Sequence, residues 1–117
     1  MKTFAFIIPP TVELLDFAGP VQVFAEAKFY GFDADIQFFV YDENPISTAG
    51  LGFAPVKHFT EAKLNEGDYV FVPGMDFDYV SSIDFRAQKD FFNWLKACSD
   101  RKITVCSICN GAFALGY

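Results

Sequence analysis

Cys109 stands in Ile103-Thr-Val-Cys-Ser-Ile-Cys-Asn-Gly-Ala-Phe-Ala-Leu115, where a β-branched run turns through Cys-Asn-Gly into an Ala/Leu stretch that reads as a helix start. This is the layout of a nucleophile elbow, which exposes one side chain on a sharp strand-to-helix turn. A thiol there, beside the positive end of a helix, ionises more readily than a free one. The plain alternative from spacing alone is a buried, inert cysteine, since free Cys is among the most buried residue types. A thiol nucleophile also needs an acid or base partner and donors for any oxyanion that forms. Asp16, in the apolar setting Leu14-Leu-Asp-Phe-Ala-Gly-Pro20, is a candidate for a carboxyl that keeps its proton and hydrogen-bonds the sulfur. Its competing role is a helix N-cap. The oxyanion donors would be the backbone N–H of Asn110 and that of Gly74 or Met75, while Gly111 lets the helix pack close to the sheet.

The other two cysteines read as structural. Cys98 falls on the apolar face of a helix and Cys106 inside a strand. The Cys106-Ser-Ile-Cys109 spacing allows a thioredoxin-like or metal reading, but in a redox pair the first cysteine sits at the helix start, and here the second one does. A tetrahedral metal needs further ligands, and the only His, His58, lies in a different segment, so no metal and no cofactor is expected. His58 reads as an ordinary surface residue. Met75-Asp-Phe-Asp-Tyr79 reads as a loop roofing the pocket or as a solvated connection.

The elements that must position these residues follow from periodicity. Thr3 to Ile8 is a continuous apolar run stopped by Pro9-Pro10, as in a parallel strand buried on both faces. Phe17, Val21, Phe24 and Ala25 recur at helical spacing, with Asp16 before them, Pro20 near the start and Gly31 after Tyr30, which predicts a helix over about 18–30. Ala34 to Tyr41 is the next strand. Residues 46–59 alternate around two glycines and predict a short hairpin at a sheet edge, where Pro55 costs no ladder bond. Asp68-Tyr-Val-Phe-Val-Pro-Gly74 is a buried strand running into a turn. Ser82 or Asp84 then caps a helix with Phe91, Trp94, Leu95 and Cys98 facing inward, and Ile103 to Ser107 is the last strand. Strands alternating with helices predict a parallel α/β sheet with helices on both faces. In such a sheet the ligand lies beyond the carboxyl ends of the strands, where Asp16, Gly74 and Cys109 all fall.

Composition sets the class. The 117 residues, 52% hydrophobic, make one domain over 1–117 that buries roughly two thirds of the surface of its unfolded chain. Sixteen Phe imply aromatic packing between the layers. A net charge of −6 opposes direct contact with nucleic acid or anionic membrane, so any DNA role lies outside this segment. No apolar run approaches the ~20 residues of a membrane span. Three cysteines without a disulfide framework, and no convincing signal peptide, place the chain in the cytoplasm.

Three patches in order, Leu14-Leu-Asp-Phe-Ala-Gly-Pro-Val-Gln-Val-Phe24, Asp68-Tyr-Val-Phe-Val-Pro-Gly74 and Val105-Cys-Ser-Ile-Cys-Asn-Gly-Ala-Phe113, resemble the ThiJ/PfpI superfamily. The resemblance implies a three-layer, flavodoxin-like sandwich of the class I glutamine-amidotransferase-like type. It also implies that Cys109 is the reactive cysteine, Asp16 its acidic partner and the Pro73-Gly74 turn part of the oxyanion site. Many relatives have two glycines where this chain has Gly74-Met75. The family fold continues beyond Tyr117 and carries a His after the elbow helix, so the expectation is a fold truncated after the elbow. Two subgroups are similar: the amidase-like sensory domain of AraC-type transcriptional regulators, slightly favoured by Ala18 and the Gly111-Ala-Phe113 run, and isocyanide-hydratase-like enzymes. The expected function is a ligand-sensing regulator domain. The alternatives are a cysteine-dependent hydratase or amidase, and a redox sensor whose exposed thiol oxidises to the sulfenic state. The expected partners are a small-molecule ligand or substrate and a second copy of the chain.

Overall fold

The computed structural model describes the whole chain, Met1 to Tyr117. Five strands, β1 (Lys2–Ile7), β2 (Ala34–Val40), β3 (Lys57–His58), β4 (Tyr69–Val72) and β5 (Thr104–Ser107), form one sheet in the order β3-β2-β1-β4-β5. Every pair in it is parallel. β1 lies at the centre, and Ala5, Phe6 and Ile7 are at most 1% exposed, as its unbroken apolar run requires.

Period-two alternation divides the core into two layers. On one face Phe4, Phe6 and Phe71 meet Phe17, Val21 and Phe24 of the helix α1 (Leu14–Phe29). Here the phenylalanines do their work: Phe6 stacks on Phe71 at 4.7 Å, and Phe24 meets Phe4 edge-on at 4.6 Å. On the other face Ala5, Ile7, Val70 and Val72 pack under Phe91, Phe92, Leu95 and Cys98 of the helix α4 (Lys89–Asp100). The three-layer α/β sandwich is therefore as the sequence predicts.

Several boundaries differ. α1 begins at Leu14, four residues before the predicted start, so Asp16 lies in its first turn and Glu13 occupies the cap position. The cause is tertiary: the Glu13 N–H donates to the Gly74 carbonyl at 2.8 Å, fixing the chain into helical entry there. Pro20 is thus inside the helix, and its missing N–H is the one that would have reached the Asp16 carbonyl. Gly31, at φ 103°, ends the helix as expected.

The predicted hairpin over 46–59 is instead a single antiparallel bridge, Ile46 to Gly52, followed by the two-residue β3, which joins β2 in parallel. Pro45 and Pro55 deny this segment the donors a longer ladder needs. The stretch read as a loop after Met75 holds a helical turn, α2 (Phe77–Val80), capped by the Asp76 carboxylate accepting from the Tyr79 N–H. Ser82 caps the next element as predicted, but that element is a short turn, α3 (Ile83–Arg86), separate from α4. The break turns Phe85 fully into the core, between Tyr79 and Phe92. The chain closes with a 3-10 turn, Cys109–Gly111, and the helix α5 (Ala112–Gly116).

Candidate functional site

The carboxyl ends of β1, β4 and β5 lead into three segments that meet. Residues Thr11 to Glu13 after β1 run beside Met75 and Asp76 after β4: Val12 bridges Met75, and the Asp76 N–H donates to the Thr11 carbonyl at 3.0 Å. This contact swings the start of α1 across the β4 exit and lays the half-buried Asp16 carboxylate against Gly74.

Gly74 is the point of convergence. A Cβ built on it would strike the Asp16 carboxylate, and would lie 3.1 Å from the Cys109 Cβ and 3.3 Å from the Asn110 side-chain oxygen. Four of the residues singled out from sequence, Asp16, Gly74, Cys109 and Asn110, therefore surround one small space. The fifth, Met75, adjoins it with its side chain buried at 1% exposure.

Cys109 is exposed and has φ 52°, a left-handed conformation rare for a residue with a side chain. Such a conformation costs roughly 1–2 kcal/mol. Gly111 supports it from below: a Cβ there would lie 2.7 Å from the Pro73 carbonyl oxygen and closer still to that of Val72, so only glycine lets the turn sit directly on the β4 exit. The strand-to-helix elbow with an exposed thiol is present. The helix after it is short, however, with five α residues following the 3-10 turn, so the dipole expected from the sequence is a small one.

The donors near the sulfur are fewer than the sequence allowed. The Met75 N–H donates to the Asn110 side-chain oxygen at 2.7 Å, and the Asn110 side-chain nitrogen donates back to the Met75 carbonyl at 2.7 Å. Met75 is thereby withdrawn as an oxyanion donor, and the Asn110 side chain acts as a clamp. The Gly74 N–H has no acceptor in the protein. The Asn110 N–H, at the start of the turn after the elbow, likewise has no acceptor in the protein, whereas the Gly111 N–H donates to the Ile108 carbonyl at 3.0 Å.

The other titratable groups lie elsewhere. Burial pushes the Cys98 thiol up to about 11 and raises that of the half-buried Cys106 as well, which favours the protonated thiol in both, and Cys109 is the one exposed cysteine. His58 sits on β3, the opposite edge strand from β5, where its ring nitrogen meets the Thr60 hydroxyl at 2.8 Å and caps a 3-10 turn. It cannot join Cys106 and Cys109 around a metal, and no group of three or more His, Cys, Asp or Glu residues is disposed to hold one. A cavity of about 450 Å³ opens over Cys109, lined by Asn110, Ala112, Phe113, Gly116 and Tyr117. A larger groove of about 790 Å³ runs between α4, β5 and α5, but its polar groups, such as Lys96, Ser99 and Lys102, lie away from the thiol.

Comparison with solved structures gives close matches over almost the whole chain. An AraC family transcriptional regulator from Pseudomonas putida superposes with a TM-score of 0.75 at 18% identity, covering 99% of this chain and 60% of its own. A DJ-1 superfamily protein from Agrobacterium tumefaciens gives 0.71 at 23% identity, covering 99% and 57%. The fold is that of the DJ-1/ThiJ/PfpI proteins. A two-domain protein from Anabaena variabilis, with DJ-1/ThiJ/PfpI-like and ferritin-like domains, matches at 0.74 and 20% identity over 98% of this chain and 31% of its own. The chain thus spans about 60% or less of each of these relatives of the DJ-1/ThiJ/PfpI fold. No family model and no curated protein matches the sequence. No helix is long and apolar enough to cross a membrane.

Proposed function

We propose that this chain belongs to the ThiJ/PfpI superfamily and is a cytoplasmic small-molecule-sensing domain of a transcriptional regulator, in which Cys109 and Asp16 line the ligand pocket. The observation that carries the reading is the convergence at Gly74 of a carboxylate, an exposed thiol and a clamped amide, beside an apolar cavity. The likeness to an AraC family regulator supports it. The charge of −6 disfavours direct DNA contact by this segment, so the reading requires a separate DNA-binding module in the same polypeptide.

Intact mass and peptide mapping of the natively expressed polypeptide test this. The sensing reading expects a helix-turn-helix module joined to this domain, and a natural product of only 13.1 kDa would contradict it.

The unpaired Gly74 N–H beside Cys109 favours a second reading, a hydratase or amidase. In that case the Cys109 sulfur adds to an electrophilic carbon, Asp16 carries the proton, and the Gly74 and Asn110 N–H groups hold the developing negative charge. Turnover of a small isocyanide or amide that disappears in Cys109→Ser would establish it. The sensing reading expects none.

A further inference from the structure

Asn110 and Gly111 are the one Asn-Gly pair in the chain, since Asn44, Asn65 and Asn93 are followed by Pro, Glu and Trp. Packing at the elbow fixes each half of the pair. Gly111 has no room for a Cβ, which would lie 2.7 Å from the Pro73 carbonyl oxygen, and Asn110 supplies both the acceptor and the donor that clamp the Met75 backbone. No other side chain of that length offers both. The fold therefore sets next to Cys109 a dipeptide that carries its own reagents. The Asn side-chain amide carbon is an electrophile within reach of the following backbone nitrogen, and glycine, without a Cβ, leaves that nitrogen unshielded.

We propose that Asn110–Gly111 is a self-modification site whose rate is set by the Met75 clamp, and that its conversion impairs the Cys109 site. The Gly111 nitrogen adds to the Asn110 Cγ, the Cγ–Nδ2 bond breaks, and the Gly111 proton leaves with the side-chain nitrogen as ammonia. Water then opens the succinimide at either carbonyl, giving aspartate or isoaspartate at 110 with no oxidant or cofactor. In the folded chain this reaction is held back. The Asn110 carboxamide is tied at both ends by bonds of 2.7 Å to the Met75 backbone, and the Gly111 N–H is turned to the Ile108 carbonyl at 3.0 Å. All three bonds must open before the nitrogen meets Cγ, and at their ordinary net strength they slow the reaction on the order of a hundredfold. Such a local opening is easier than unfolding the domain, so it governs the native rate. Either product sets a carboxylate against the Met75 carbonyl and adds negative charge beside the sulfur, which disfavours the thiolate. Isoaspartate also lengthens the backbone directly after Cys109. Both effects hold whether the thiol senses or catalyses.

Peptide mapping of the whole chain, aged at mildly alkaline pH, tests this. Conversion of amide to acid at 110 is expected on the order of a hundredfold faster in urea-unfolded chain than in native chain. Met75→Pro removes the clamp's N–H and spares the bonds from Glu13 to Gly74 and from Asp76 to Thr11, so while folded it should convert at least about fivefold faster than the native chain. Iodoacetamide should label Cys109 about fivefold more slowly in the converted fraction, separated by its added charge. No conversion at Asn110 in urea, equal rates in native and unfolded chain, a folded Met75→Pro that converts no faster, or undiminished labelling overturns the proposal. Should Met75→Pro fail to fold, the urea dependence decides. A rate set by the clamp stays flat below the unfolding transition, and one that climbs with the unfolded fraction from the first addition of urea excludes the clamp as the gate.

Discussion

The Asn110 side-chain amide and the Met75 backbone form a closed ring of two hydrogen bonds, each 2.7 Å, between the turn after β5 and the turn after β4. The residue that follows the thiol in sequence therefore fixes the thiol's position relative to Gly74. It also takes from Met75 the N–H that could have served as an oxyanion donor.

Asn110→Ala removes both bonds and leaves the Met75 N–H unpaired beside a buried side chain. At about 1 kcal/mol for each net hydrogen bond, the expected loss is about 2 kcal/mol. Urea unfolding measures it. Asn110→Asp keeps the acceptor, sets a carboxylate against the Met75 carbonyl, and should recover little of the loss.

The glycines on the two sides of the thiol differ in what surrounds them. A methyl group at Gly74 strikes the Asp16 carboxylate, which can turn aside, and stands 3.1 Å from the Cys109 Cβ, which has to give by only a few tenths of an ångström. At Gly111 it meets the backbone carbonyls of Val72 and Pro73, which cannot move without opening β4. Gly111→Ala is therefore the more damaging change, at about 3 kcal/mol or more, while Gly74→Ala costs about 1 kcal/mol and mainly closes the site. Thermal unfolding of the two variants side by side gives the order.

At Cys109 the backbone itself is a test. With φ 52°, Cys109→Gly relieves the strain and should leave stability equal or slightly higher, whereas Cys109→Val places a β-branched residue where it fits worst and should cost about 1–2 kcal/mol. Equal midpoints for all three would mean the elbow is not strained.

Much of this was legible in the sequence, and what was not has one physical cause. The alternation of apolar strands with helical stripes, the stop at Gly31, the cap at Ser82 and the cysteine on a strand-to-helix turn are local signals, and each appears where it was read. The start of α1 is set by a bond from Glu13 to Gly74, sixty residues on, which no local pattern reveals. Asn110 read as a backbone donor because its side-chain partner, Met75, is also distant in sequence, 35 residues before it. α2 was not legible: its stretch read as a loop or a solvated connection, because four residues carry too little periodicity to show as a helix.

Alkaline stability follows from burial. The Cys98 thiol is pushed from 9.0 up to about 11, and the Tyr41 hydroxyl is also raised, by burial first and then by its 2.6 Å hydrogen bond with Tyr79. Both groups hold their protons more tightly when folded. For Cys98 this contribution is full below about pH 9 and is lost as pH rises through 11, by about 2–3 kcal/mol, while that of Tyr41 begins to be lost only above its ordinary value of 10. Urea midpoints from pH 7.5 to 11 should fall over that window, and fall less steeply in Cys98→Ala.

The central claim is that the Asp16 carboxylate and the Cys109 thiol share one site. The most direct test is the ratio of Cys109 alkylation rates with neutral iodoacetamide and anionic iodoacetate, measured in the native chain and in Asp16→Asn. Taking a ratio cancels any change in the thiol's own reactivity, so it reports only the charge beside the sulfur. A carboxylate this close disfavours the anionic reagent by about 1 kcal/mol, and Asp16→Asn should lower the iodoacetamide-to-iodoacetate ratio about fivefold. An identical ratio in the two proteins would contradict a negatively charged Asp16 beside the Cys109 sulfur.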